Sequence, residues 1–128
     1  MEHLTEILIL AMLAIVFLQS GLDKITDRKG NLDWLKGHFA NSIFKNVVAL
    51  NLTIVTVLEI LSGTTAVIGI VCLLIEGNSS MALLSGILSS ATFLCLFLGQ
   101  RLAKDYVGAQ TIVIYLMPTF FLLYLLTQ

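Results

Sequence analysis

The chain has 128 residues, of which 58% are hydrophobic and 12% charged, with a formal net charge of −1. Its mean hydropathy is +0.98. An ordinary soluble domain carries about twice that charge density, and one this small cannot cover so much apolar surface with so few charges. A soluble globular protein, a disordered chain and a nucleic-acid binder are therefore excluded. A bilayer span takes about 20 apolar residues, so four spans use most of the chain.

The first apolar run is 4–22. Its leading flank is acidic (Glu2, Glu6) and no small-residue cleavage pattern follows, so it reads as a retained span rather than a signal peptide. Residues 23–46 hold most of the charge. Within them, 32–40 reads as a short amphipathic helix lying on the membrane, with Asn31 as its N-cap. Leu32, Leu35 and Phe39 share its apolar face, and Trp34 suits the headgroup boundary. The second run, 47–75, contains Glu59 and is longer than a bilayer requires, so it tilts or protrudes. Glu76-Gly77-Asn78-Ser79-Ser80 has the chemistry of a tight turn between helices. The third run is 81–99 and the fourth is 107–126, where Pro118 removes a backbone hydrogen bond and predicts a kink. The fold class is all-α: a single membrane domain of four transmembrane helices with a short amphipathic helix between the first two.

All the lysines and arginines lie in the first and third loops: Lys24, Arg28, Lys29, Lys36, Lys45, Arg101 and Lys104. With four spans these loops share a side. The positive-inside rule makes loops 23–46 and 100–106 cytoplasmic and places both termini outside. Counting inward from the turn at 76–80, Glu59 lies level with Leu96, a turn short of Gln100 and Arg101. The same depth in the outer spans falls near Gln19, Ser20, Gln110 and Thr111. The polar residues therefore gather toward the charged end, and the opposite half reads as nearly all apolar. Stripes of small or polar residues face the neighbouring helices: Leu52, Thr56, Glu59, Gly63 and Ala66; Ser85, Ser89, Thr92, Leu96 and Gln100; Thr111, Tyr115, Pro118 and Thr119.

Glu59 is the sharpest chemical signal. An acid at this depth costs about 2.5–3.5 kcal/mol on insertion scales, so it is either protonated or paired with a cation. Arg101 is the best partner by depth, with Lys24 and Lys104 next. The pair reads equally as a ligand or proton site and as an ion pair that fixes helix register. Gln19 and Gln100 are amides where apolar residues would be cheaper, and helix-to-helix hydrogen bonding accounts for them. Tyr115 is placed to donate to a carbonyl ligand or to sit in an interfacial belt. Cys72 and Cys95 lie about 15–20 Å apart along the bundle axis, beyond the reach of a disulfide. His3 and His38 fall at opposite ends and cannot share a haem iron, and no metal-ligand spacing is present.

Particular segments look familiar. Phe17-Leu18-Gln19-Ser20-Gly21-Leu22-Asp23-Lys24 is similar to the F-x-x-S-G-x-x-K signature of DoxX-like membrane proteins. The segment from Gln100 to Ala109 resembles their third loop, and an acid in the second span, here Glu59, also fits. The resemblance covers essentially the whole chain. It implies a bacterial inner-membrane protein, with no covalent cofactor, in which Glu59 acts on a ligand. That ligand, a quinone or small anion, would be held by Gln19, Lys24, Gln100, Arg101 and Asp105, with Tyr115 close by. The implied role is a quinone-interacting subunit of a membrane oxidoreductase whose electron carrier sits on a protein partner. The alternatives are a non-catalytic assembly subunit of a larger membrane complex and a pathway for protons or small solutes. The apolar outer half disfavours the pathway. The bilayer is the partner common to all three readings.

Overall fold

The computed structural model describes residues 3–42 and 46–128. Lys45, one of the first-loop cations, lies outside them. Five helices follow in order: α1 (Leu4–Thr26), α2 (Arg28–His38), α3 (Val48–Ile75), α4 (Ser80–Leu102) and α5 (Tyr106–Leu126). All but α2 are long and apolar enough to cross a membrane. They form the four-helix bundle of a multi-pass membrane protein. At 1.5 Å per residue, the 28 residues of α3 run to about 42 Å, against a hydrocarbon core of about 30 Å.

α1 packs on α3, α3 on α4 and α4 on α5, and α5 returns more loosely to α1. Gly21 meets Ile60 and Gly63 meets Leu18 across the first interface, so α1 and α3 run antiparallel. Lipid tails are as apolar as leucine, so burial of apolar surface does not drive these helices together. Close packing and interhelical hydrogen bonds do. At Gly69 a Cβ would stand 2.9 Å from the Ala82 Cα, so the α3 and α4 backbones touch there. Ser62 and Thr92 pair their hydroxyls at 3.2 Å, and the Ser85 hydroxyl donates to the Ser62 carbonyl at 3.1 Å. Phe17 and Phe93 fill the centre, with ring centroids 4.7 Å apart.

Helix ends follow local chemistry, and here the sequence reading needs correction. α1 continues to Thr26 rather than stopping at Leu22, and α2 begins at Arg28 rather than 32. The N-cap of α2 is Asp27, whose carboxylate accepts from the Gly30 N–H; Asn31 lies inside the helix and donates its amide to the Asp27 and Asp23 carbonyls. The shared Asp27 leaves no loop between the two helices. At the α3–α4 turn Gly77 takes φ +67, and the Asn78 side chain accepts from the Ser80 N–H. α5 runs unbroken through Pro118. The hydroxyl pairs of Ser62, Ser85 and Thr92 extend into the half that reads as apolar in the sequence, because helical serines and threonines bury easily against a neighbouring backbone.

The α4–α5 turn closes by two backbone bonds. The Asp105 N–H donates to the Gln100 carbonyl at 2.8 Å, and the Lys104 N–H to the Arg101 carbonyl at 3.1 Å. This is a Schellman closure, whose left-handed residue is usually glycine. Here it is Lys104, at φ 62. Asp105 then caps α5 by accepting from the Gly108 N–H at 2.9 Å. Asp105→Ala should lower stability by about 1 kcal/mol, the usual worth of such a cap. Thermal denaturation in detergent checks this; an unchanged midpoint would mean that α5 starts without its cap.

Candidate functional site

The α1 face toward α3 is spaced by three and four residues: Leu10, Leu13, Phe17, Gly21, then Lys24 on the last turn. Because α1 extends to Thr26, Lys24 is held on a helix and not in a loop. Its ammonium donates to the Ser20 hydroxyl at 2.7 Å and lies 3.0 Å from Oε1 of Glu59. Glu59 is 2% exposed. Oε1 takes no aligned hydrogen bond among the described residues, so the cation holds it by charge, off the usual hydrogen-bonding directions.

The Lys24 side chain also lines a cavity of about 260 Å³ at the charged end of the bundle. Leu52, Val55 and Leu96 supply apolar wall from α3 and α4, and Leu35 of α2 and Phe39, its C-cap, supply it from above. Ile54, Leu98 and Trp34 are exposed as well as lining, so they frame its mouth. The polar points are few: Lys24, Asn51, His38 and Gln100. An apolar cavity with a small number of placed polar groups is the usual form of a small-molecule site.

His38 organises the wall opposite Lys24. Its Nε2–H donates to Gln100 Oε1 at 2.8 Å, and Asp105 Oδ2 lies 3.7 Å from the same nitrogen. In the neutral ring this leaves Nδ1 as the acceptor. Trp34 stacks on the imidazole with centroids 4.6 Å apart, and Phe39 meets it edge-on at 5.0 Å. At the other end of α2, the Arg28 guanidinium donates to the Thr53 hydroxyl at 2.7 Å. α2 buries no residue fully. It lies over the cavity, held at both ends by polar contacts to α3 and α4.

Of the residues the sequence singles out, the structure brings Lys24, Glu59, Gln100 and Asp105 to this end, around or behind the cavity. It does not bring the others. Arg101, the partner that depth favours for Glu59, is exposed and sits over the Tyr106 ring at 5.0 Å. Lys24 takes its place because α1, and not α4, carries a cation on the face that packs against Glu59. Gln19 is exposed on the far side of α1, two residues out of phase with both Phe17 and Gly21. Tyr115 stacks on Phe93, with centroids 5.6 Å apart and the planes 3° from parallel, inside the bundle and away from the cavity. Thr111 faces outward.

His38, Trp34 and Asn51 are site residues that the sequence reading missed. A signal existed: Trp34, Leu35 and His38 fall within one turn of an amphipathic helix, so the face that covers the bundle also carries an imidazole. Both cysteines are free thiols, Cys95 at the cavity and Cys72 near the opposite turn. Among the described residues no three His, Cys, Asp or Glu side chains gather closely enough to hold a metal ion. Compared with protein-family models, with curated proteins and with solved structures, the chain matches none of them.

Proposed function

We propose that this chain is a DoxX-like membrane subunit that binds a quinone in the cavity beside Lys24, with the charged end facing the cytoplasm of a bacterial cell. The observation that carries the reading is Lys24 itself. It is an ammonium in the wall of an apolar cavity, neutralised from behind by a buried carboxylate that does not line that cavity. A neutral ring bearing carbonyl oxygens suits such a place. Its faces meet Trp34, Phe39 and aliphatic side chains, and a carbonyl accepts from Lys24. Glu59 positions the ammonium from behind without competing for the ligand. In this reading the electrons come from a partner protein, and Lys24 with Glu59 forms the local store of protons for the reduced oxygen.

Trp34 is the chain's single tryptophan and borders the cavity, which makes it a direct reporter. Its fluorescence in reconstituted protein should be quenched saturably by a short-tailed benzoquinone or naphthoquinone. The double variant Lys24→Met/Glu59→Gln removes the donor without leaving a lone charge. It should weaken binding about tenfold, the worth of one charge-assisted hydrogen bond. Linear quenching, identical in the two proteins, would sink the quinone reading and leave the pair as a device for helix register.

A further inference from the structure

A second cavity, of about 180 Å³, adjoins the first. His38 belongs to both walls. The rest of the lining comes from the chain just after α2 and from the α4–α5 turn: Asn41, Ser42, Leu102, Ala103 and Lys104. Its chemistry differs from that of the larger cavity. An ammonium, a carboxamide and an imidazole border it, and none of the described lining residues is acidic.

Lys104 is the informative residue. It occupies the one position of the α4–α5 turn that requires a left-handed backbone, where glycine would be unstrained and asparagine next best. A strained residue at the edge of a cavity is a reason to ask what its side chain does there. Among the described residues no carboxylate lies within ion-pair distance of its ammonium. The nearby acid, Asp105, is occupied: it caps α5 through Gly108 and faces the His38 ring. An exposed, uncompensated cation thus borders the cavity beside the Asn41 carboxamide, at the end of the bundle where the spans stop and headgroups lie.

We propose that this second cavity binds an oxyanion of the phosphate type, with Lys104 as its point charge and the Asn41 carboxamide as a neighbouring donor. The inference does not depend on the quinone reading. Two sources carry this chemistry, an anionic lipid headgroup and a free oxyanion, and the test separates them.

The full chain is reconstituted in phosphatidylcholine vesicles containing a minor fraction of phosphatidylglycerol, and native mass spectrometry then reads the lipid it retains. Wild type should keep one phosphatidylglycerol. Lys104→Gly removes the cation while giving the turn the residue it favours, so loss of fold does not confuse the result. Retention should fall about tenfold. Lys36→Ala, on exposed α2 surface outside the cavity, should change nothing. Retention that is unaltered in Lys104→Gly, or that falls equally in Lys36→Ala, overturns the site in favour of none or of diffuse surface attraction. Inorganic phosphate is then added to wild type. Displacement of the lipid supports a site open to free oxyanions, and resistance to displacement supports a headgroup site. If neither lipid nor phosphate binds, the proposal fails.

Discussion

Lys24→Met is expected to destabilise the bundle by about 3 kcal/mol. The variant leaves Glu59, 2% exposed, without the cation 3.0 Å away. Removing one member of a buried pair costs about 3–5 kcal/mol, because the survivor keeps its desolvation penalty and loses its compensation. The lower end applies here, since the Lys24 side chain retains 18% of its exposure and the site is not fully dry. Glu59→Gln should cost less, about 1 kcal/mol. The lysine it strands has a long stem and borders a cavity that reaches the surface, so its ammonium can move toward water. The double variant should return to within about 1 kcal/mol of wild type, and the non-additivity measures the pair. Unfolding in detergent with increasing SDS reads all three proteins. If Lys24→Met alone were neutral, the ion pair would contribute nothing to the fold. The double variant separates two roles that a single substitution confounds. A stable protein that no longer binds quinone puts the pair's purpose in the ligand, whereas a stable protein that still binds puts it in helix register.

The sequence carried the four spans and the turn chemistry at 76–80. These follow from local composition and helical period, which a linear chain displays directly. It did not carry the identity of the partner of Glu59. Depth counting ranks residues along the bundle axis but says nothing of azimuth, and Arg101, about one turn from the level of Glu59, is exposed and sits over the Tyr106 ring. Lys24 meets Glu59 because α1 runs on to Thr26 and keeps it on the helical face toward α3. Asp27 was the missed signal, because it ends α1 and caps α2 at the same position. His38 lies within the 32–40 segment read from the sequence, but that segment reads as a surface helix and not as the cover of a cavity. The observed α2 starts four residues earlier, spans 11 residues and is held to α3 by Arg28 and to α4 by His38, which sets it over the cavity. Gln19 and Tyr115 fail for the same reason as Arg101. Each is a polar side chain in an apolar span, but being polar at the right depth does not determine which face a residue occupies.

Three glycines turn the packing argument into a graded expectation. Gly69→Ala should cost about 2 kcal/mol, within the range for overpacking a close contact. The new methyl would stand 2.9 Å from the Ala82 Cα and 3.0 Å from the Ala82 nitrogen, both backbone atoms. No rotamer change relieves that contact, so α3 and α4 must separate near their shared turn, which strains the hydroxyl bonds of Ser62 to Ser85 and Thr92. At Gly21 the nominal clash is shorter, 2.6 Å, but it falls on Cδ1 of Ile60, the far end of a flexible side chain. Gly21→Ala should therefore cost less than Gly69→Ala despite the shorter distance. At Gly37 nothing lies within 4 Å, and the residue is inside α2. Gly37→Ala should stabilise α2 by about 0.5–1 kcal/mol through helix propensity alone. The order is thus set by what yields rather than by how close it is. Unfolding midpoints of the three variants in one detergent test it. Gly21→Ala costing as much as Gly69→Ala would mean that the α1–α3 contact is as unyielding as the α3–α4 contact. The position of Lys24 against Glu59 would then be fixed by backbone packing, with the ion pair following from it.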